Sequence, residues 1–182
     1  MLLTKRIATP DGGPLDGVFY GWADPRGDNP TTGQYPLIFH APDFDAFDYL
    51  SLPVVREVQI AAFAHTLTAY ATDAEYTEAQ KTTYRLAAEC CIPTGTFPPK
   101  DNPDAPPAPY ALYSGHVVRT KVLTNPATGL RFQWARIRTL GGELDVVADP
   151  ATVEGTLAEC GVATGTFWLT GRIVDLPKSA VQ

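Results

Sequence analysis

Two decapeptides constrain this chain most. Residues 88–97 read AECCIPTGTF and residues 158–167 read AECGVATGTF, and seven of the ten positions agree. A second pair follows the same order: NPTTG at 29–33 precedes the first decapeptide and NPATG at 125–129 precedes the second. Upstream of each lies a Gly-led apolar run, GVFYGW from Gly17 and GHVV from Gly115. Each half therefore reads as strand, turn, strand, variable middle and closing strand, which is the signature of an internally repeated unit. The Asn-Pro turn lies farther from Ala-Glu-Cys in the first half, so that half carries an enlarged middle. The competing reading is two unrelated uses of a Thr-Gly turn.

With 182 residues the chain has room for one large domain or two small ones. Its 17 Pro and 15 Gly, set among many Thr, Val, Tyr and Phe, favour strands joined by turns. Six of those prolines fall between Pro98 and Pro109. Proline fixes φ and removes a backbone donor, so this stretch reads as an extended linker. It divides an N-terminal unit, 1–97, from a C-terminal unit, 110–182.

Several strands are legible in order. Val18, Phe19, Tyr20 and Trp22 form a dense β run, and Gly21 within it points to a bulge or a bend. Residues 35–40 return. In 54–72, Ile60, Phe63, Leu67 and Tyr70 fit a helix face, whereas Val58, Ile60, Ala62 and Ala64 fit a strand; a long strand is expected. Thr72 followed by Glu75 makes a capping box, which predicts a short helix over 73–81. Residues 111–123, 130–139, 144–148 and 167–174 read as the strands of the second half.

A hairpin, a third strand, an intervening segment and a further strand ending in GTFWLTGRIV resembles the oligonucleotide/oligosaccharide-binding (OB) barrel. The resemblance covers about Tyr110 to Asp175 and, through the repeat, Gly17 to Phe97. It implies a mainly β protein of two small OB-like barrels with one or two short helices, the first barrel acidic and enlarged in its middle.

Charge sharpens the functional reading. The net charge of −6 repels polyanions, yet it is unevenly spread. Residues 1–108 carry seven Lys/Arg against fourteen Asp/Glu, whereas 109–182 carry seven against six. Between Gly115 and Arg138 lie Arg119, Lys121, Arg131, Arg136 and Arg138, with no acidic residue. Phe132, Trp134, Arg136 and Arg138 share one parity, so a regular strand projects them to one face. Aromatic rings bordered by guanidinium groups are how single strands of nucleic acid are gripped. The packing alternative turns Phe132 and Trp134 into the barrel.

The segment APDFDAFDYL offers a complement to that hairpin. Phe44, Phe47 and Leu50 recur every third residue, consistent with a short helix, while Asp43, Asp45 and Asp48 are interleaved. Asp43, Phe44, Asp45, Phe47 and Asp48 are thus the candidate partner-binding residues, covering the basic surface within one chain or between two.

No phosphate loop, nucleophile elbow, zinc motif or dinucleotide fingerprint is present. His40, His65 and His116 lack ligand spacing, so no metal or cofactor is expected. Glu89 and Glu159 occupy matching repeat positions and form the one candidate carboxylate pair for hydrolysis. Three Cys argue against a disulfide framework; Cys90 and Cys160 read as small buried side chains. No run approaches the length of a membrane span and the N-terminus lacks a signal-like apolar stretch, so a cytoplasmic protein is expected. The leading expectation is a non-catalytic binding or assembly module that takes a protein partner, or a second copy, on the hairpin. Single-stranded nucleic acid is the alternative ligand.

Overall fold

Residues 58–70, open to two readings in sequence, form one thirteen-residue strand in the computed structural model, and the molecule is arranged around it. The structure describes residues 1–9, 13, 16–25, 33–81, 85–97 and 100–174. Among the described residues the chain is mainly β with one α-helix. Its strands are β1 (Leu2–Ala8), β2 (Gly17–Ala23), β3 (Tyr35–Ala41), β4 (Val54–Val55), β5 (Val58–Tyr70), β6 (Cys90–Ile92), β7 (Tyr110–Thr124), β8 (Arg131–Thr139), β9 (Gly142–Ala148), β10 (Val153–Glu154) and β11 (Val162–Ile173).

Five strands close into a barrel. β7, β8 and β9 form an antiparallel meander, β11 pairs antiparallel with β7 and with β5, and β5 pairs parallel with β9 to complete the circle. β5 lies before the Pro-rich segment and the other four strands after it. The barrel thus draws on both sides of the stretch read as a linker, and 1–97 and 110–182 share one hydrophobic core. That stretch is anchored at its end, where Ala108 N–H donates to Gly95 and Leu169 N–H donates to the Pro109 carbonyl. Pro98 and Pro99 lie outside the described residues.

β1 to β4 form an antiparallel layer in the order β4-β1-β2-β3, joined to β11 through a parallel bridge between His40 and Thr170, while β6 pairs antiparallel with β7. Leu3, Phe19, Leu37, Phe39, Phe44 and Phe47 from that layer pack into the same core as Leu67, Tyr113, Ile137, Phe167 and Leu169 of the barrel.

Bulges explain where strict alternation fails. Thr166 faces Thr66 but Phe167 faces Ala64, leaving His65 as an extra residue in β5. One extra residue inverts parity beyond it, so Ala62 and Leu67 both reach the core although their numbers differ by five. The bulge signalled by Gly21 sits on the opposing strand, where Leu3 and Lys5 face Gly21 and Tyr20 and Thr4 is left over.

The helix α1 (Asp73–Ala79) begins where its capping sequence predicts. Thr72 Oγ1 accepts from Glu75 N–H at 3.1 Å, and the Glu75 carboxylate accepts from Ala71 N–H at 2.9 Å. Tyr76 fastens this helix to the barrel through Ser114, which is fully buried. The Tyr76 and Ser114 hydroxyls lie 2.8 Å apart, and Ser114 meets the Thr164 hydroxyl at 2.9 Å. Removing the shared hydroxyl strands parts of two others, so Ser114→Ala is expected to cost about 1–2 kcal/mol. The check is a lower urea midpoint with an unchanged slope.

The two decapeptides do not share a local structure. Thr94–Thr96 form a 3-10 turn after the short strand β6, whereas Thr164–Thr166 lie inside β11. Cys90 is half-buried in a strand; Cys160 is exposed, with φ of 67°, in the turn before β11. The expectation of two matching buried cysteines is thereby corrected. What the segments do share is a neighbour, since Cys90 and Thr164 both face Ser114 of β7. Residues 29–32 of the first Asn-Pro turn lie outside the described residues.

Candidate functional site: the β7–β8 hairpin and the outer barrel face

β7 and β8 extend beyond the barrel they help to close. Ala135, Ile137 and Thr139 turn inward and are buried, which puts Phe132, Trp134, Arg136 and Arg138 together on the outer face. The packing alternative for Phe132 and Trp134 therefore gives way to the outward one, with both rings half-buried against the outside of the sheet. A bulge at Val118 brings Arg119 and Lys121 to that face as well, opposite Arg136 and Trp134.

The register continues the aromatic surface across four further strands. Trp134 faces Val147 of β9, Val147 faces Phe63 of β5, Phe63 faces Trp168 of β11, and Trp168 faces Tyr110 of β7. Phe63 and Trp168 have ring centroids 5.6 Å apart, and His40 lies 5.4 Å from Trp168 on its other side. This oblique belt is invisible without register, because its members come from five strands. At the foot of the hairpin Phe63, Leu130, Phe132 and Val147 line a shallow groove of about 570 Å³, with Arg131 at its rim.

The charges of the hairpin divide into two groups. Arg136 is 3.3 Å from Asp145, whose carboxylate also accepts from Trp134 Nε1 at 3.2 Å and from Gln59 Nε2 at 3.0 Å, and Arg138 is 2.9 Å from Glu89. These two guanidinium groups are committed within the chain. Arg119, Lys121 and Arg131 are exposed and make no ion pair among the described residues. Around them Val118, Val122, Leu123 and Leu130 are exposed apolar side chains, Leu130 at 70 %. Every described residue from Lys121 to Arg131 is exposed, on both faces of the hairpin.

The acidic aromatic segment has a different role from the one expected of it. Phe44 and Phe47 flank a 3-10 turn and are buried, packing on Phe19 at centroid distances of 5.6 and 6.3 Å. Arg6 of β1 lies over the Phe44 ring, donates to its carbonyl and pairs with Asp45 and Asp48. Asp43 is half-buried beside them. Since apolar side chains spaced by three are most cheaply satisfied by the core, the phenylalanines turn inward, and Arg6 holds the carboxylates.

Glu89 does not stand as half of a carboxylate pair. His116 sits between Glu89 and Asp73, with ring nitrogens 2.9 Å from each, and Arg138 shares the same Glu89 oxygen. Glu159 makes no hydrogen bond or ion pair among the described residues, and nothing joins it to Glu89. The Arg138 hydrogen bond, then that of His116, holds the Glu89 carboxyl below its ordinary value, the wrong direction for a general acid. His116 is held above the ordinary imidazole value, chiefly by the Glu89 hydrogen bond, with burial opposing and Asp73 adding.

A raised imidazole value contributes stability that is complete below about pH 6.5 and disappears as pH rises through the folded value. His116→Gln is therefore expected to lower the unfolding midpoint more at pH 6 than at pH 8.5. Equal losses at both would mean that the ring carries no proton in the fold.

Burial pushes the Cys91 thiol up to about 12, which leaves it unreactive in the interior beside Tyr113 and Tyr35. Among the described residues no group of three or more His, Cys, Asp and Glu is placed to hold a metal, and no helix is long and apolar enough to cross a membrane. Comparison with known proteins finds no matching family model, no matching curated protein and no matching solved structure.

Proposed function

We propose that the protein is a non-catalytic binding or assembly module that docks a protein partner through the β7–β8 hairpin. The observation that carries this reading is the two-sided exposure of residues 121–131, beside which Arg119, Lys121 and Arg131 make no ion pair among the described residues and a cluster of aliphatic side chains is exposed. A bare two-stranded ribbon of this kind gains little from its own fold and exposes apolar surface at a cost, which a partner recovers. The five-stranded closure agrees with an OB-like architecture, and in that reading the meander β7-β8-β9 is the ligand-bearing face.

A hairpin-shortened variant tests the proposal. Residues 122–133 are replaced by Asn-Gly, which joins the directly paired Lys121 and Trp134 by a two-residue turn suited to a hairpin. The barrel should keep its stability, and proteins retained by the parent chain in affinity capture should be lost. Retention of the same set by both would end the reading.

Single-stranded nucleic acid remains the second reading, supported by the outer row of Trp134, Phe63 and Trp168. Asp145 in the middle of that face and the net charge of −6 weigh against it. A labelled oligothymidylate whose affinity falls steeply with salt would favour nucleic acid; absence of binding at low salt would exclude it.

A further inference from the structure

The hairpin offers more than side chains. β11 pairs with β7 only as far as His116, and the last backbone bonds on that side join Val117 to Gly161 and Cys160. From Val118 to Thr124 β7 has β8 on one side and, among the described residues, no strand on the other. Asn125 N–H donates to the Leu130 carbonyl, so the backbone of Asn125 faces β8. Alternation along a strand then turns Lys121 and Leu123 toward β8 and leaves the N–H and C=O groups of Thr120, Val122 and Thr124 facing outward. This is an open sheet edge with no proline in β7 to blunt it.

We propose that this edge accepts an extended, acidic segment of a different protein as an added antiparallel or parallel strand, an inference that rests on the hairpin reading above and specifies its mode. Arg119 and Lys121 project from the outer face of the edge and Val122, 47 % exposed, from the other. A strand laid alongside meets cations on one face and Val122, between Thr120 and Thr124, on the other, so it fits when acidic residues alternate with β-branched apolar ones. A second copy is a poor occupant. Two β7 edges brought together would set Arg119 and Lys121 against like charges, which is destabilising between directly opposed residues. Among the described residues the short edges β4 and β10, two residues each, and β6, three residues, give little to pair with.

The test uses the full chain and three probes: a nine-residue peptide alternating Glu with Val, the same peptide with Lys for Glu, and an oligothymidylate. On binding the Glu peptide, amide exchange at Thr120, Val122 and Thr124 should slow by about tenfold or more, with Lys121 and Leu123 already protected by β8. Val122→Pro removes an outward donor without touching the ladder to β8, and should weaken the peptide by about tenfold. The Lys peptide and the oligonucleotide should give no such protection. Binding of the Glu peptide without slowing at those three amides overturns the proposal, as does equal protection by the Lys peptide. The amide readout on the parent chain stands even if the proline variant misfolds. Loss of binding in the hairpin-shortened variant together with full binding by Val122→Pro would sink strand addition while leaving the docking reading intact.

Discussion

Replacing Gly165 by valine is expected to be among the most damaging single changes in the barrel. Gly165 lies in the middle of β11, between β5 and β7, opposite Leu67 and Tyr113. A Cβ at this position would clash with the carbonyl oxygen of Thr66 and stand 3.0 Å from its carbonyl carbon and 3.1 Å from the Phe167 ring. The obstacle is backbone, so it does not rotate away. Nor does β5 easily withdraw, because Thr66 is tied to Thr166 by a hydroxyl contact of 2.9 Å and by the Thr166 N–H at 3.1 Å. Overpacking a closed sheet at such a point is expected to cost about 3 kcal/mol or more. For a chain of this size that lowers the thermal midpoint by roughly 6–12 °C. Gly129 provides the contrast, since nothing lies near its missing Cβ and only its φ of 71° is at issue. Gly129→Ala should cost about 1 kcal/mol. A Gly165→Val protein melting within 2 °C or so of its parent would mean that β5 and β11 do not meet there as described.

That glycine also shows how a correct pattern was legible for an incomplete reason. The Thr-Gly-Thr of the two decapeptides marks places where another backbone comes too close for a side chain: the Ala108 carbonyl at Gly95 and the Thr66 carbonyl at Gly165. Close approach is a local demand that different structures impose alike. Similar residues therefore recur in a 3-10 turn and in mid-strand, and sequence identity alone does not distinguish a copied fold from a shared constraint. The mainly β character, the long strand at 58–70 and the cap at Thr72 were legible because each follows from short-range chemistry. Closure through β5 was not, because it pairs Val58 with Ile173 across most of the chain. No local signal encodes which partner completes a circle.

The site follows the same division. The common face of Phe132, Trp134, Arg136 and Arg138 could be read from parity, a property of one strand. Which side faced out depended on Ala135 and Ile137 being the residues that fit the interior, and that depends on the neighbours. The pairing of Arg136 with Asp145 and of Arg138 with Glu89 lay beyond the sequence, since it joins separate segments; among the described residues it leaves Arg119, Lys121 and Arg131 of the hairpin without an ion pair. Phe44 and Phe47 misled because a ring spaced for a partner is equally spaced for the core, and the core lay nearer.

Reversing those three uncommitted cations together, Arg119→Glu with Lys121→Glu and Arg131→Glu, is expected to abolish docking while leaving the fold alone. None of the three makes an ion pair among the described residues and all are exposed, so the folded state loses no partner. Exposed changes of this kind stay within about 0.5 kcal/mol. Binding is different, because each substitution replaces an attraction to an acidic partner by a repulsion of similar size. The combined loss is expected to reach about 100-fold in low salt for whichever protein the parent chain retains and the hairpin-shortened variant releases. Screening shrinks the gap, so raising the salt should bring the parent's affinity down toward that of the variant. Calorimetric titration at two salt concentrations, paired with melting curves, separates the outcomes. A triple variant that binds within a few-fold of the parent would transfer the docking energy to Val122, Leu123 and Leu130 and remove charge as the selector of the partner. One that melts far below its parent would mean that these side chains have internal roles their exposure does not reveal.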